Sequence, residues 1–101
     1  MEKIVCAAIH YKDKKCYEFQ PKNISEGYVL CGWRHHNIIN TRAQLLEENQ
    51  KTDSYNSVQG FLTSKNRFLD RAEAFKLAIE NGQVIRENAF HSYKLFSEDL
   101  Y

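Results

Sequence analysis

Residues 3–11 (KIVCAAIHY) carry apolar side chains at odd and even positions alike. A strand of that kind is stable only where both of its faces are covered, so the run predicts the centre of a sheet and not an edge. The chain is 101 residues long, which gives that sheet room for a few more strands and two helices around one core. It leaves too little for a second core. The expectation is a single domain, residues 1–101, of the α+β class: a small antiparallel β-sheet packed against two α-helices.

The rest of the sheet reads as short segments. Residues 12–15 form a polar turn, and residues 16–19 (CYEF) are a short aromatic run expected to return as the hairpin partner of the first strand. Residues 21–27 carry Pro and Gly punctuation and read as a loop. Residues 28–31 (YVLC) predict a further strand that ends at Gly32. Residues 57–63 (SVQGFLT) predict another, interrupted by Gly60, where a bulge or the close approach of another backbone or a ligand is expected.

Two helices follow from spacing and caps. Ile38, Ile39, Arg42, Leu45 and Leu46 recur by threes and fours and mark one helix face, with Asn40, Gln44, Glu47 and Glu48 on its polar back. The second helix has the clearest boundaries in the chain. Asp70 is its N-cap, Glu73 completes a capping box, and Gly82 after Asn81 is the left-handed stop. Ala74, Phe75, Leu77 and Ala78 supply its buried face. Residues 49–56 are polar and aperiodic, and read as a connection. The end of the sequence carries Leu95, Phe96, Leu100 and Tyr101, too much apolar surface to remain undocked.

Composition narrows the function classes. Fourteen Lys and Arg against thirteen Asp and Glu leave a net charge of +1, which provides no broad field for gripping a long nucleic acid. Residues 1–8 do not resemble a signal peptide and no stretch reaches membrane-spanning length, so a cytoplasmic protein with no membrane partner is expected. Cys6, Cys16 and Cys31 form neither a C-x-x-C pair nor an even set, and are expected to be small core residues in a reducing compartment. Cys31, His35 and His36 lack a second cluster to complete a zinc site, so neither metal nor cofactor is expected.

Two blocks can bind an anion. Residues 32–37 (GWRHHN) stand at a strand-to-helix turn, where helix N-terminal amides attract negative charge. Arg34 and His35 add donors there, and Trp33 adds an aromatic face. Residues 59–71 (QGFLTSKNRFLDR) combine Thr63 and Asn66, able to bond ribose or phosphate oxygens, with the positive charges of Arg67 and Arg71. Phe61 or Phe68 can stack on a purine. In each block the competing reading is structural: Trp33, Phe61 and Phe68 as core, the His pair as a hydrogen-bonded helix start, and residues 64–67 as an ordinary solvated turn. Neither a Walker loop nor a dinucleotide fingerprint is present.

A catalytic set is not assembled by the sequence. Cys31 with His35 lacks an oxyanion loop, and Glu98 and Asp99 point apart if extended. His35 or His36 acting on a phosphodiester keeps a cyclic-nucleotide-degrading enzyme as one alternative. A module that binds a host protein through residues 95–101 is another.

The order IVCAAIHY, GWRHH, QGFLTS, RFLDRAEA, ENGQ and LFSEDLY resembles the first family of Thoeris anti-defence proteins of phages over residues 3–101. That resemblance implies a sponge for the glycocyclic ADP-ribose signal made by TIR enzymes, holding it without cleavage in the host cytoplasm during infection. It also implies a homodimer or higher homo-oligomer and, for some members, capture of cyclic oligonucleotides at a second site. By the same resemblance, Arg34, His35, Phe61, Thr63, Asn66, Arg67 and Arg71 fall where the family's shared positions cluster. Phe68 joins them on chemistry alone. Tyr101 departs from the pattern, which more often ends in Trp.

Overall fold

The doubly apolar strand lies inside the sheet, with a hydrogen-bonded neighbour on each side. The computed structural model describes residues 2–45, 57–83 and 100. Along the chain these form β1 (Ile4–Tyr11), β2 (Tyr28–Gly32), α1 (His35–Leu45), β3 (Ser57–Thr63), β4 (Phe68–Asp70) and α2 (Arg71–Glu80). The sheet order is β2-β1-β3-β4 and every pairing is antiparallel. The fold is thus α+β, as the sequence predicts.

Both helices cover one face of the sheet. Ala7, Ile9 and Tyr11 of β1 point to it together with Phe61 and Leu69, and there they meet Ile38 of α1 and Ala74, Phe75 and Ala78 of α2. Among the described residues, Phe61 and Ile9 are the largest fully buried side chains and mark the middle of this core. Leu100 packs against it as well. Residues 46–56, 84–99 and 101, including Leu46, the polar connection and most of the expected apolar tail, lie outside the described residues.

Helix α1 buries a narrower stripe than its sequence predicts. His35, Ile38 and Arg42 face inward, whereas Ile39 and Leu45 are exposed. Arg42 is buried because its guanidinium lies 4.0 Å from the Tyr11 ring centroid while its Nε donates to the Tyr28 hydroxyl at 2.8 Å. The two tyrosine rings stack 5.4 Å apart beneath it, so cation–π attraction and a hydrogen bond replace the apolar contact expected here.

The predicted return strand at residues 16–19 does not form, and β2 is the hairpin partner instead. Local bonds hold this segment in another shape. Lys15 N donates to Asp13 Oδ1 at 3.0 Å, the Tyr17 hydroxyl donates to the Asp13 carboxylate, and Gly27 N donates to Lys15 O at 2.7 Å. Lys14 and Phe19 take positive φ, and Phe19 is 98% exposed. Side-chain bonds to nearby backbone compete with a ladder, and here they win.

Residues 12–27 also supply part of the cover for the other face of β1. Asn23 brackets β4 by accepting from Phe68 N at 2.8 Å and donating to Phe68 O at 2.6 Å. His10 Nε2–H donates to Glu26 O at 2.8 Å. Further along this face the cover thins. Cys31 is exposed and Cys6 half-buried, and Cys16 is exposed in the connection, so the cysteines are not the core residues their type predicts.

Strand β4 is too short, at three residues, to be read from periodicity. It exists because Gly60 has no side chain. A Cβ there would collide with the Leu69 carbonyl oxygen and stand 2.8 Å from the tip of the Phe68 ring, so only glycine permits this approach. Gly60→Ala is expected to lower unfolding free energy by about 1–3 kcal/mol in urea titrations, as overpacking does. An unchanged midpoint would refute the close approach.

Candidate functional site

The second helix starts where the sequence places it. Asp70 Oδ1 accepts from Glu73 N at 2.8 Å and Asp70 N donates to Glu73 Oε1 at 3.2 Å, a complete capping box. At the other end, Gly82 has φ +64, and Gln83 N closes the helix on Ala78 O at 2.9 Å. The first helix starts on a reciprocal pair: Arg34 N donates to Asn37 Oδ1 at 3.0 Å and Asn37 N to Arg34 O at 3.1 Å.

These two helix starts meet at one residue of β3. His35, the first residue of α1, donates from Nε2–H to Gly60 O at 2.7 Å, a bond that fixes its tautomer because a carbonyl can only accept. In the β3–β4 register, Gly60 also faces Asp70, the N-cap of α2. The two sequence blocks are therefore brought together, although the sequence gives no sign that they are neighbours. Beside this junction Arg71 donates to the Gln59 side-chain oxygen, and Gln59, Asp70, Arg71 and Ala72 line an open cleft of about 330 Å³.

The expected binding residues divide by accessibility. Phe61 is 0% exposed, with its ring edge-on to His35 at 5.2 Å. Phe68 is likewise buried, edge-on to His10 at 5.7 Å. Both are core side chains, and neither presents a ring face on which a purine could stack. His35 is buried by its bond to Gly60, whereas His36 is exposed. Trp33, at 65% exposed, is the aromatic side chain that is open beside the first block, with the Arg34 guanidinium 5.9 Å from its ring centroid.

Thr63 and Arg67 serve a structural cluster. Arg67 grips Glu2 through two parallel bonds, Nε to Oε2 and NH2 to Oε1, each 2.7 Å. The buried Thr63 hydroxyl donates to Glu2 Oε2 at 2.6 Å and accepts from Arg67 N at 3.2 Å. Asn66 sits at φ 58 in the same turn; its amide donates to Thr63 O at 3.0 Å and its carbonyl accepts from Lys22 N at 2.9 Å. The Asn66 side chain is exposed. The hydrogen bond from Arg67, followed by that from Thr63, holds the Glu2 carboxyl well below the usual range, at about 2. Among the described residues, no group of three or more His, Cys, Asp and Glu is placed to hold a metal.

The model of the Phage T4 y16D protein family matches residues 3–101. The chain belongs to this family of phage proteins. No curated protein and no solved structure matches it. For this family member, among the described residues, no helix is long and apolar enough to cross a membrane.

Glu2, Gln59, Asn23 and Gln83 are the residues that sequence reading passes over. Each acts through a partner distant in the chain, Glu2 on Arg67 and Gln83 on Ile4 for example, so no local pattern signals it. The Glu2 cluster has a measurable pH signature. Its carboxyl titrates at 4.5 unperturbed and about 2 in the fold, so its stabilisation is complete above the first value and is lost as pH falls through the second. Glu2→Gln should therefore destabilise the protein at neutral pH, and the gap to wild type should narrow between pH 4.5 and 2. Thermal melts across that window test it, and a gap independent of pH would contradict the assignment.

Proposed function

We propose that this phage protein captures a TIR-generated glycocyclic ADP-ribose signal and withholds it uncleaved, so that the Thoeris effector is never activated. The observation that carries the reading is the meeting of two helix N-termini at Gly60, beside the cleft that holds Arg71 and Gln59. Each helix start carries a partial positive charge worth about 0.3–1 kcal/mol to an anion. A charge-assisted bond from an arginine adds about 1.5–3 kcal/mol. A diphosphate is the ligand group that gains from both together, and the Asp70 carboxylate, engaged in its cap, opposes them only in part.

In this proposal Arg71 pairs with a phosphate, Gln59 bonds a ribose hydroxyl, and Arg34 with Trp33 gives a second charged and aromatic contact. Capture requires no proton transfer, and the burial of His35 favours a structural role over the acid–base role of the enzymatic alternative. At about 330 Å³ the open cleft stands at the lower end of what a ligand with two riboses needs. Pockets for such molecules run to about 300–1,000 Å³ and enclose most of the ligand, so we place the complete site at the contact between copies in a homo-oligomer.

The test is to incubate the protein with TIR-generated signal, measure its depletion, then heat-denature the protein and assay the supernatant. Recovery of intact signal is the expected result. An altered product would establish the enzyme instead, and no depletion would overturn both. Arg71→Ala should weaken capture at least about tenfold, the loss expected for one charge-assisted contact, while leaving the melting temperature near wild type. Full capture by both Arg71→Ala and Arg34→Ala would refute these residue roles.

A further inference from the structure

On the sheet face opposite the helices, the register of β1 and β2 brings two cysteines together. Ala8 faces Cys31, so Cys6, two residues earlier on β1, is the diagonal neighbour of Cys31 on the same face. A bulge between Ile4 and Cys6 shifts β1 at this point. The thiols are close enough that each shifts the titration of the other. Cys31 is exposed and Cys6 half-buried, so both are open to a small reagent. The proposed capture residues Arg71 and Gln59 use neither thiol.

We propose that Cys6 and Cys31 form a thiol–disulfide exchange site that reacts with low-molecular-weight disulfides of the glutathione type and closes into a cross-strand disulfide. The two thiols differ in the way that such chemistry needs. The contact with Cys31 stabilises the Cys6 thiolate and brings it to about 7 against the opposing effect of burial, while Cys31 is pushed up by the same contact. Cys6 is then the attacking group near neutral pH and Cys31 the resolving one.

In the first step the Cys6 thiolate attacks one sulfur of the small disulfide. The S–S bond breaks, one thiolate leaves and takes up a proton, and a mixed disulfide remains on Cys6. Cys31 then gives its proton to solvent, attacks the Cys6 sulfur and expels the second small thiol, which is protonated in turn. Two protein thiols are oxidised and one small disulfide is reduced to two thiols. Drawing the sulfurs in to the ~2.05 Å of a disulfide pulls the ends of β1 and β2 together, and the resulting strain makes the bond readily reducible.

The experiment exposes the full chain to oxidised glutathione, quenches with acid, alkylates the remaining thiols and maps the peptides by mass. Wild type should lose the mass of two hydrogens through a Cys6–Cys31 link that dithiothreitol reverses, with Cys16 outside the link. Cys31→Ser should trap glutathione on Cys6, Cys6→Ser should form no internal link, and the early mixed disulfide of wild type should sit on Cys6. Separate stable adducts on Cys6 and Cys31, a link through Cys16, a covalent dimer, or two thiols that stay unreacted while Cys16 is modified would each overturn the proposal.

Discussion

The missing side chain of Gly60 is the constraint on which most of this fold depends. It lets the backbone of Leu69 come close enough to form β4, and β4 delivers Asp70 to the register position that begins α2. The same residue's carbonyl receives the His35 ring and so fixes the start of α1. One position on one strand therefore sets the origin of both helices. Phe61, the next residue, fills the core beneath them. The sheet, the helix layer and the proposed capture cleft share a single geometric reference.

Around this reference, long side chains do the work that backbone ladders do in larger domains. Asn23 brackets Phe68, and Gln83 donates to and accepts from Ile4 at 3.0 and 2.9 Å where the β1–β2 pairing has already stopped at Ala7. Buried backbone polar groups must be paired somewhere, and an amide side chain presents the same donor and acceptor as a peptide. Among the described residues, side-chain amides thereby pair backbone groups at the ends of the four strands where the ladder does not reach.

What could be read in advance follows from the range of each interaction. The central strand was legible because its two apolar faces are a local property, and α2 because its capping box spans four adjacent positions. The α1 stripe was only half legible. His35 and Arg42 are polar residue types that become inward-facing through distant partners, the Gly60 carbonyl and the Tyr11 and Tyr28 rings. Residues 16–19 misled because aromatic content favours a strand, while the bonds made by Asp13 are invisible to periodicity. At the site, residue chemistry identified both blocks but not their exposure. Phe61 and Phe68 carry the right rings on the wrong side of the surface, and Gln59 carries no local signal.

The amide of Gln83 has a consequence for the order in which the molecule can be completed during synthesis. Among the described elements the central strand leaves the ribosome before the others, yet Ile4 waits for a partner 79 positions later, and Glu2 waits for Arg67 and Asn81. The nascent chain must hold its most apolar segment without its final contacts until nearly the whole described domain has emerged. Contacts of such long sequence separation form late. Of the described elements, the one made earliest is therefore the one whose protection from proteases and other nascent chains waits longest for its partners at residues 67–83 to emerge.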